Sequence, residues 1–119
     1  MNEESDFLIC WHGGGADRVV RTLLDRFVEA NQGCSVVEEE PKKTHAWGSG
    51  GEQEFLYSLL GSGGEQLLTV LLQNSYTTTS DDSEDYAYPT RVRLSFLPYM
   101  SELVNAIAEQ LKREFPSPY

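Results

Sequence analysis

Cys10 and His12, two positions apart at the end of a short apolar run, are the first residues of this chain whose types and spacing suggest chemistry. In an extended strand, residues i and i+2 share a face, and a histidine beside a thiol can take its proton to make a nucleophilic thiolate. Against this stands the run itself, Phe7-Leu8-Ile9-Cys10-Trp11, whose burial would leave the thiol an inert core group. Gly13, Gly14 and Gly15 follow, and Ala16-Asp17 then open a helical pattern. Backbone N–H groups at a helix start attract anions, so His12 and the three glycines form a candidate site for a phosphate or carboxylate. Asp17 competes with that ligand, and neither the dinucleotide-binding pattern nor the phosphate loop ending in Gly-Lys-Ser/Thr is present. A plain tight turn accounts for the same residues.

His12-Gly13-Gly14-Gly15 also resembles, over four residues, the oxyanion-hole motif of lipases and esterases of the α/β-hydrolase fold. That family needs a Gly-x-Ser-x-Gly nucleophile elbow, and neither Ser49 nor Ser62, in their glycine-rich settings, provides one. The resemblance therefore implies no hydrolase. Metal spacing fails as well, because Cys10, Cys34, His12 and His45 form no close zinc pairs. In Asp81-Asp82-Ser83-Glu84-Asp85, the positions where a calcium loop needs glycine and glutamate hold Tyr86 and Val92. No cofactor is expected.

The remaining candidates are for contact rather than catalysis. Acidic residues cluster at Glu38, Glu39 and Glu40 and at Asp81, Asp82, Glu84 and Asp85, with Trp47, Tyr86 and Tyr88 as aromatic anchors of the kind interfaces favour. Nine Lys and Arg stand against nineteen Asp and Glu, a formal charge of −10. Such a surface repels phosphate backbones, so nucleic acid is not an expected partner. A basic protein is, because opposite fields speed encounter and fix orientation. The competing explanation is that the acids only keep the chain soluble and line solvated loops.

No apolar run approaches the ~18 residues of a membrane span, and the first residues, Met1-Asn2-Glu3-Glu4-Ser5-Asp6, carry acids where a secretory signal carries bases. These features predict a cytoplasmic protein with no membrane partner. Two cysteines are too few for a disulfide framework, which favours free thiols packed as small hydrophobes.

The elements that must position these residues follow from periodicity. The length of 119 residues suits one domain spanning 1–119, with 1–5 and 115–119 fraying and 78–89 an acidic loop. Phe7–Trp11 reads as a strand covered on both faces. Val20, Leu23, Leu24, Phe27 and Val28 recur at helical spacing and predict an amphipathic helix over Ala16–Gln32. Cys34–Glu38 is the next strand, completing a β-α-β opening that resembles the first unit of flavodoxin-like and TIR-like domains, a packing solution that carries no chemistry of its own.

Gly48-Ser49-Gly50-Gly51-Glu52-Gln53 then recurs letter for letter as Gly61–Gln66, read as two turns or as a pair of anion-binding loops. Glu54–Leu60 fits a helix face and a strand face equally, and the balance falls on a hairpin turning at Gly61–Gly64 into a strand at Leu67–Tyr76. Arg91-Val92-Arg93-Leu94-Ser95-Phe96-Leu97 alternates cleanly, as a strand with one wet face does. Met100, Leu103, Val104, Ile107 and Leu111 mark a final helix over Tyr99–Glu114.

The expected fold is α+β, a two-layer sandwich with both amphipathic helices on one face of a four- or five-stranded mixed sheet. A three-layer flavodoxin-like arrangement is the alternative. The expected function is a small acidic interaction module of inhibitor, immunity or adaptor type that binds a basic protein. The alternative is a small enzyme or an anion- or nucleotide-binding domain built on Cys10–Gly15. Homo-oligomerisation, through the apolar face of Leu67–Leu72, stays open.

Overall fold

The structure, a computed structural model, describes residues 2–11, 15–47, 50–77 and 88–117. In chain order the elements are β1 (Glu3–Trp11), α1 (Ala16–Ala30), β2 (Ser35–Glu38), β3 (Lys42–Trp47), β4 (Gly50–Leu60), β5 (Gln66–Thr77), β6 (Tyr88–Phe96), a 3-10 turn at Pro98–Met100 and α2 (Ser101–Glu114). The sheet runs β1-β6-β5-β4, and the far side of β4 is shared by β2 and β3. β2 pairs with Tyr57–Leu60, while β3 pairs with Gly50–Glu54. Between them, the Glu39 N–H donates to the Leu56 carbonyl at 3.1 Å, so the two short strands act as one interrupted edge.

Every pairing is antiparallel, which corrects the expected mixed sheet and excludes the flavodoxin-like alternative, whose sheet is parallel. The reason lies in where α1 delivers the chain. β1 and β2 end up on opposite edges with β6, β5 and β4 between them, so the first two strands never pair. β1 is thus an edge strand, and Leu8, expected inside, is 50% exposed. It is also longer than its apolar run, because pairing with β6 draws Glu3, Glu4 and Ser5 into the sheet.

Cross-strand partners share a face, so register divides the sheet in two. One face carries Ile9, Tyr57, Leu59, Leu68, Val70, Leu72, Val92, Leu94 and Phe96, all buried. Val20 and Leu24 of α1 and Val104, Ile107 and Leu111 of α2 join these residues in a single core cluster. The face of Leu68, Val70 and Leu72, expected as a surface for self-association, is consumed by that core. Arg91 and Arg93, on the other face, are exposed.

Two connections depend on glycine. Gly33, between α1 and β2, has φ +89°, and a Cβ there would sit 2.8 Å from the Ser62 Cβ, so the turn closes tightly on the β4–β5 hairpin. Gly15, before α1, has φ +130° and faces the Phe115 ring, 3.1 Å from where a Cβ would lie. The hexapeptide repeat splits in structure: Gly61–Gly64 forms the hairpin turn, whereas Gly50–Gln53 is strand, held between β3 and β5. Pairing on both sides overrides the turn preference of the first copy.

Candidate functional site

Cys10 is 7% exposed and faces Pro89 in the β1–β6 register. Its N–H points away from β6 and donates to the Phe115 carbonyl at 3.1 Å, bringing the segment after α2 against the end of β1. Gly15 gives its N–H to the Asp17 carboxylate at 3.2 Å, so the one glycine donor seen at the start of α1 already has an anion from its own chain. His12, Gly13 and Gly14 lie outside the described residues, as do Asp81, Asp82, Glu84, Asp85 and Tyr86. Trp47 and Tyr88 are described by backbone alone, in β3 and β6, two strands that β4 and β5 separate in the sheet.

The acidic triplet divides by environment. Glu38 faces Tyr57 across the β2–β4 pair, and Arg21 of α1 reaches its carboxylate at 3.8 Å while binding Asp25 at 3.0 Å. Tyr57 is 2% exposed. Burial holds its hydroxyl protonated well above the usual tyrosine range, and the nearby carboxylates of Asp17 and Glu38 act in the same direction against a phenolate. Glu38 therefore helps fasten α1 to the sheet. Glu39 and Glu40, beyond the end of β2, are exposed.

A second charged group, which motif reasoning missed, lies across β1 and β6. Asp6 stands opposite Arg93 in register, yet its carboxylate receives both Nε and Nη2 of Arg91, the latter at 2.6 Å, with Arg93 Nε at 3.4 Å. The hydrogen bond from Arg91 holds the Asp6 carboxyl below the ordinary carboxylate range, and the Arg91 guanidinium moves upward in turn. The signal in the sequence was the alternation Arg91-Val92-Arg93, which puts two cations on one wet face.

Around this group the open face is mixed in character. Leu56 and Leu71 are register partners, both half-buried, and Leu71 also faces Arg93. Next to them Gln73 Nε2 donates to Glu54 Oε1 at 2.9 Å. Two shallow depressions of about 260 Å³ each flank the arginines, one between Leu8, Glu54, Gln73 and Arg91 and the other between Asp6, Leu56, Leu71 and Arg93. Small apolar areas ringed by charge suit contact with another chain rather than enclosure of a small molecule.

Among the described residues no three His, Cys, Asp or Glu side chains gather to hold a metal ion. No helix among them is long and apolar enough to cross a membrane. Both cysteines are unpaired, Cys10 buried and Cys34 half-buried. Comparison of the chain with models of known families, with curated proteins and with solved structures finds no match.

Proposed function

We propose that this chain is a small acidic interaction module that binds a basic protein partner, acting by contact rather than catalysis. The observation that carries the reading is the placement of exposed acids at both margins of the sheet. Glu3 and Glu4 lie on β1, and Glu39 and Glu40 follow β2 at the opposite edge, on a chain of net charge −10. Charge at the rim steers association and selects partners more than it deepens affinity. The half-buried Leu56 and Leu71 and the exposed Leu8 supply apolar contact on the face between those margins.

The finer architecture in this proposal is a single two-layer domain over 1–119, with both helices on one face of the sheet and the other face free for contact. The shared core of α1, α2 and one set of strand residues supports it. A cytoplasmic setting fits the two unpaired cysteines.

The test is affinity capture from the native host's lysate at about 0.05 M and about 0.5 M salt, where screening lengths differ severalfold. The expected result is a partner of high isoelectric point whose recovery falls with salt, and falls again for a folded Glu39→Lys, Glu40→Lys variant. Capture that ignores salt, or no capture at either concentration, overturns the reading.

A further inference from the structure

We propose that the outer edge of β1 is the docking strand of this module, taking an extended, lysine- or arginine-bearing segment of the partner as an added antiparallel or parallel strand. The inference rests on the interaction reading above and names its site. Among the described residues β1 pairs as a strand on one side only, with β6, through an unbroken register from Glu3 to Trp11. In an antiparallel pair, successive residues point their N–H and C=O groups alternately toward and away from the neighbour. Since the Cys10 N–H points away from β6 to the Phe115 carbonyl, Leu8, Asp6 and Glu4 point theirs away as well. Among the described residues nothing bonds to those outward groups. The Phe115 carbonyl already makes, at one end, the kind of bond an added strand would make along the rest.

Charge decides the occupant. An unpaired edge invites a second copy of the same chain unless its side chains discourage it. Glu3 and Glu4 are exposed and have no ion-pair partner among the described residues, and the chain carries −10 overall, so a second copy meets like charge. A basic segment meets opposite charge on the same groups. Specificity in strand addition comes from alternate side chains. Glu4 and Leu8 lie on the same face of β1, so the added strand presents a basic residue opposite Glu4 and an apolar one opposite Leu8. The exposed Leu8, 50% accessible, gains cover in that arrangement.

A short extended peptide carrying a lysine and a valine four residues apart, with threonine elsewhere, is the probe, read by amide hydrogen exchange on the isotopically labelled full chain. At saturation, exchange at Glu4, Asp6 and Leu8 should slow by about tenfold or more, while Phe7 and Ile9, already bonded to β6, should not change. Leu8→Pro removes an outward N–H that takes no part in the β1–β6 ladder, a position where an edge strand tolerates proline. It should weaken peptide binding by about tenfold or more with the fold retained. Should that variant fail to fold, the same peptide N-methylated at alternate residues tests the backbone bonds on the unaltered protein.

Protection elsewhere in the chain, equal binding of the N-methylated peptide, or equal protection by a glutamate–valine peptide overturns the proposal. The two readings separate cleanly. Salt-sensitive capture of a basic partner that persists in Leu8→Pro removes the edge and leaves the interaction function; loss of salt-sensitive capture from the unaltered chain removes the function.

Discussion

Asp6 binds Arg91 on the diagonal, at 2.6 Å, more closely than it binds Arg93, its direct partner across the β1–β6 pair. The diagonal choice follows from reach: a long guanidinium can cross to the neighbouring register position and offer two parallel donors to one carboxylate. The result is a polar clasp on the outside of an edge strand, fixing residues 85 apart in the chain. It also spends the acidity of Asp6 within the fold, leaving Glu3 and Glu4 as the free acids of that strand.

The clasp predicts an order of effects on titration. The Asp6 carboxyl should titrate below the ordinary aspartate range, and Arg91→Gln should raise its midpoint further than Arg93→Gln does. Because the folded-state pKa is depressed, the stabilisation is present above the ordinary carboxylate value and is lost as pH falls through the lower folded one. Carbon-detected NMR of the side-chain carboxyl through that acid range is the measurement. Equal shifts for the two variants would contradict the diagonal geometry.

The division of the sheet into a core face and an open face gives a second prediction, on adjacent residues of β5. Leu72 is fully buried and Leu71, one position before it, is half-buried on the opposite face. Leu72→Ala should cost about 2–5 kcal/mol, the range for a leucine cavity in a core. Leu71→Ala should cost less than about 1 kcal/mol. Urea unfolding of both variants checks the contrast, and similar losses would mean that a second layer covers the open face.

Much of this arrangement was legible because period and burial coincide. Val92, Leu94 and Phe96 alternate with Arg91, Arg93 and Ser95, and Val20, Leu24 and their neighbours recur at helical spacing, so β6 and α1 announce themselves. Lys42-Lys43-Thr44-His45-Ala46-Trp47 has no such alternation and follows a proline. Its strand state comes from pairing with β4, Lys42 opposite Glu54, which local pattern does not encode. Strand order was hidden for a related reason: the crossing of α1 from one edge of the sheet to the other is a tertiary choice. The Asp6 clasp was hidden because Asp6 reads as one more acid of the Glu3–Asp6 stretch before the apolar run, and its partners arrive from the far end of the chain.

Glycine geometry separates backbone strain from crowding in a third prediction. Gly33 and Gly64 both have positive φ, +89° and +83°, but a Cβ at Gly33 meets Ser62 at 2.8 Å whereas a Cβ at Gly64 meets nothing within 4 Å. Gly64→Ala should therefore cost about 1–2 kcal/mol, the penalty of a left-handed residue alone. Gly33→Ala should cost more. Adding Ser62→Gly should recover only the excess, a coupling that a double-mutant cycle in denaturant measures directly.

Tyr57 supplies the last prediction, at the alkaline end. Its hydroxyl is held in the neutral form inside the cluster of Glu38, Arg21 and Asp17, while the same group in the unfolded chain ionises near pH 10. A folded pKa raised above the unfolded one means that the neutral group's stabilisation is whole below about pH 10 and drains away as pH climbs toward the folded value. The Tyr57 hydroxyl also bonds to the Glu38 carboxylate, so Tyr57→Phe should lose about 0.5–1.5 kcal/mol at neutral pH, the scale of one hydrogen bond, while the half-exposed Glu38 keeps its contact with water. Above pH ~10 the variant should overtake the parent, since phenylalanine has no proton to release. Thermal midpoints of the two proteins from neutral to strongly alkaline pH decide the matter: curves that stay parallel throughout would mean that the hydroxyl ionises in the folded state as freely as in the unfolded chain.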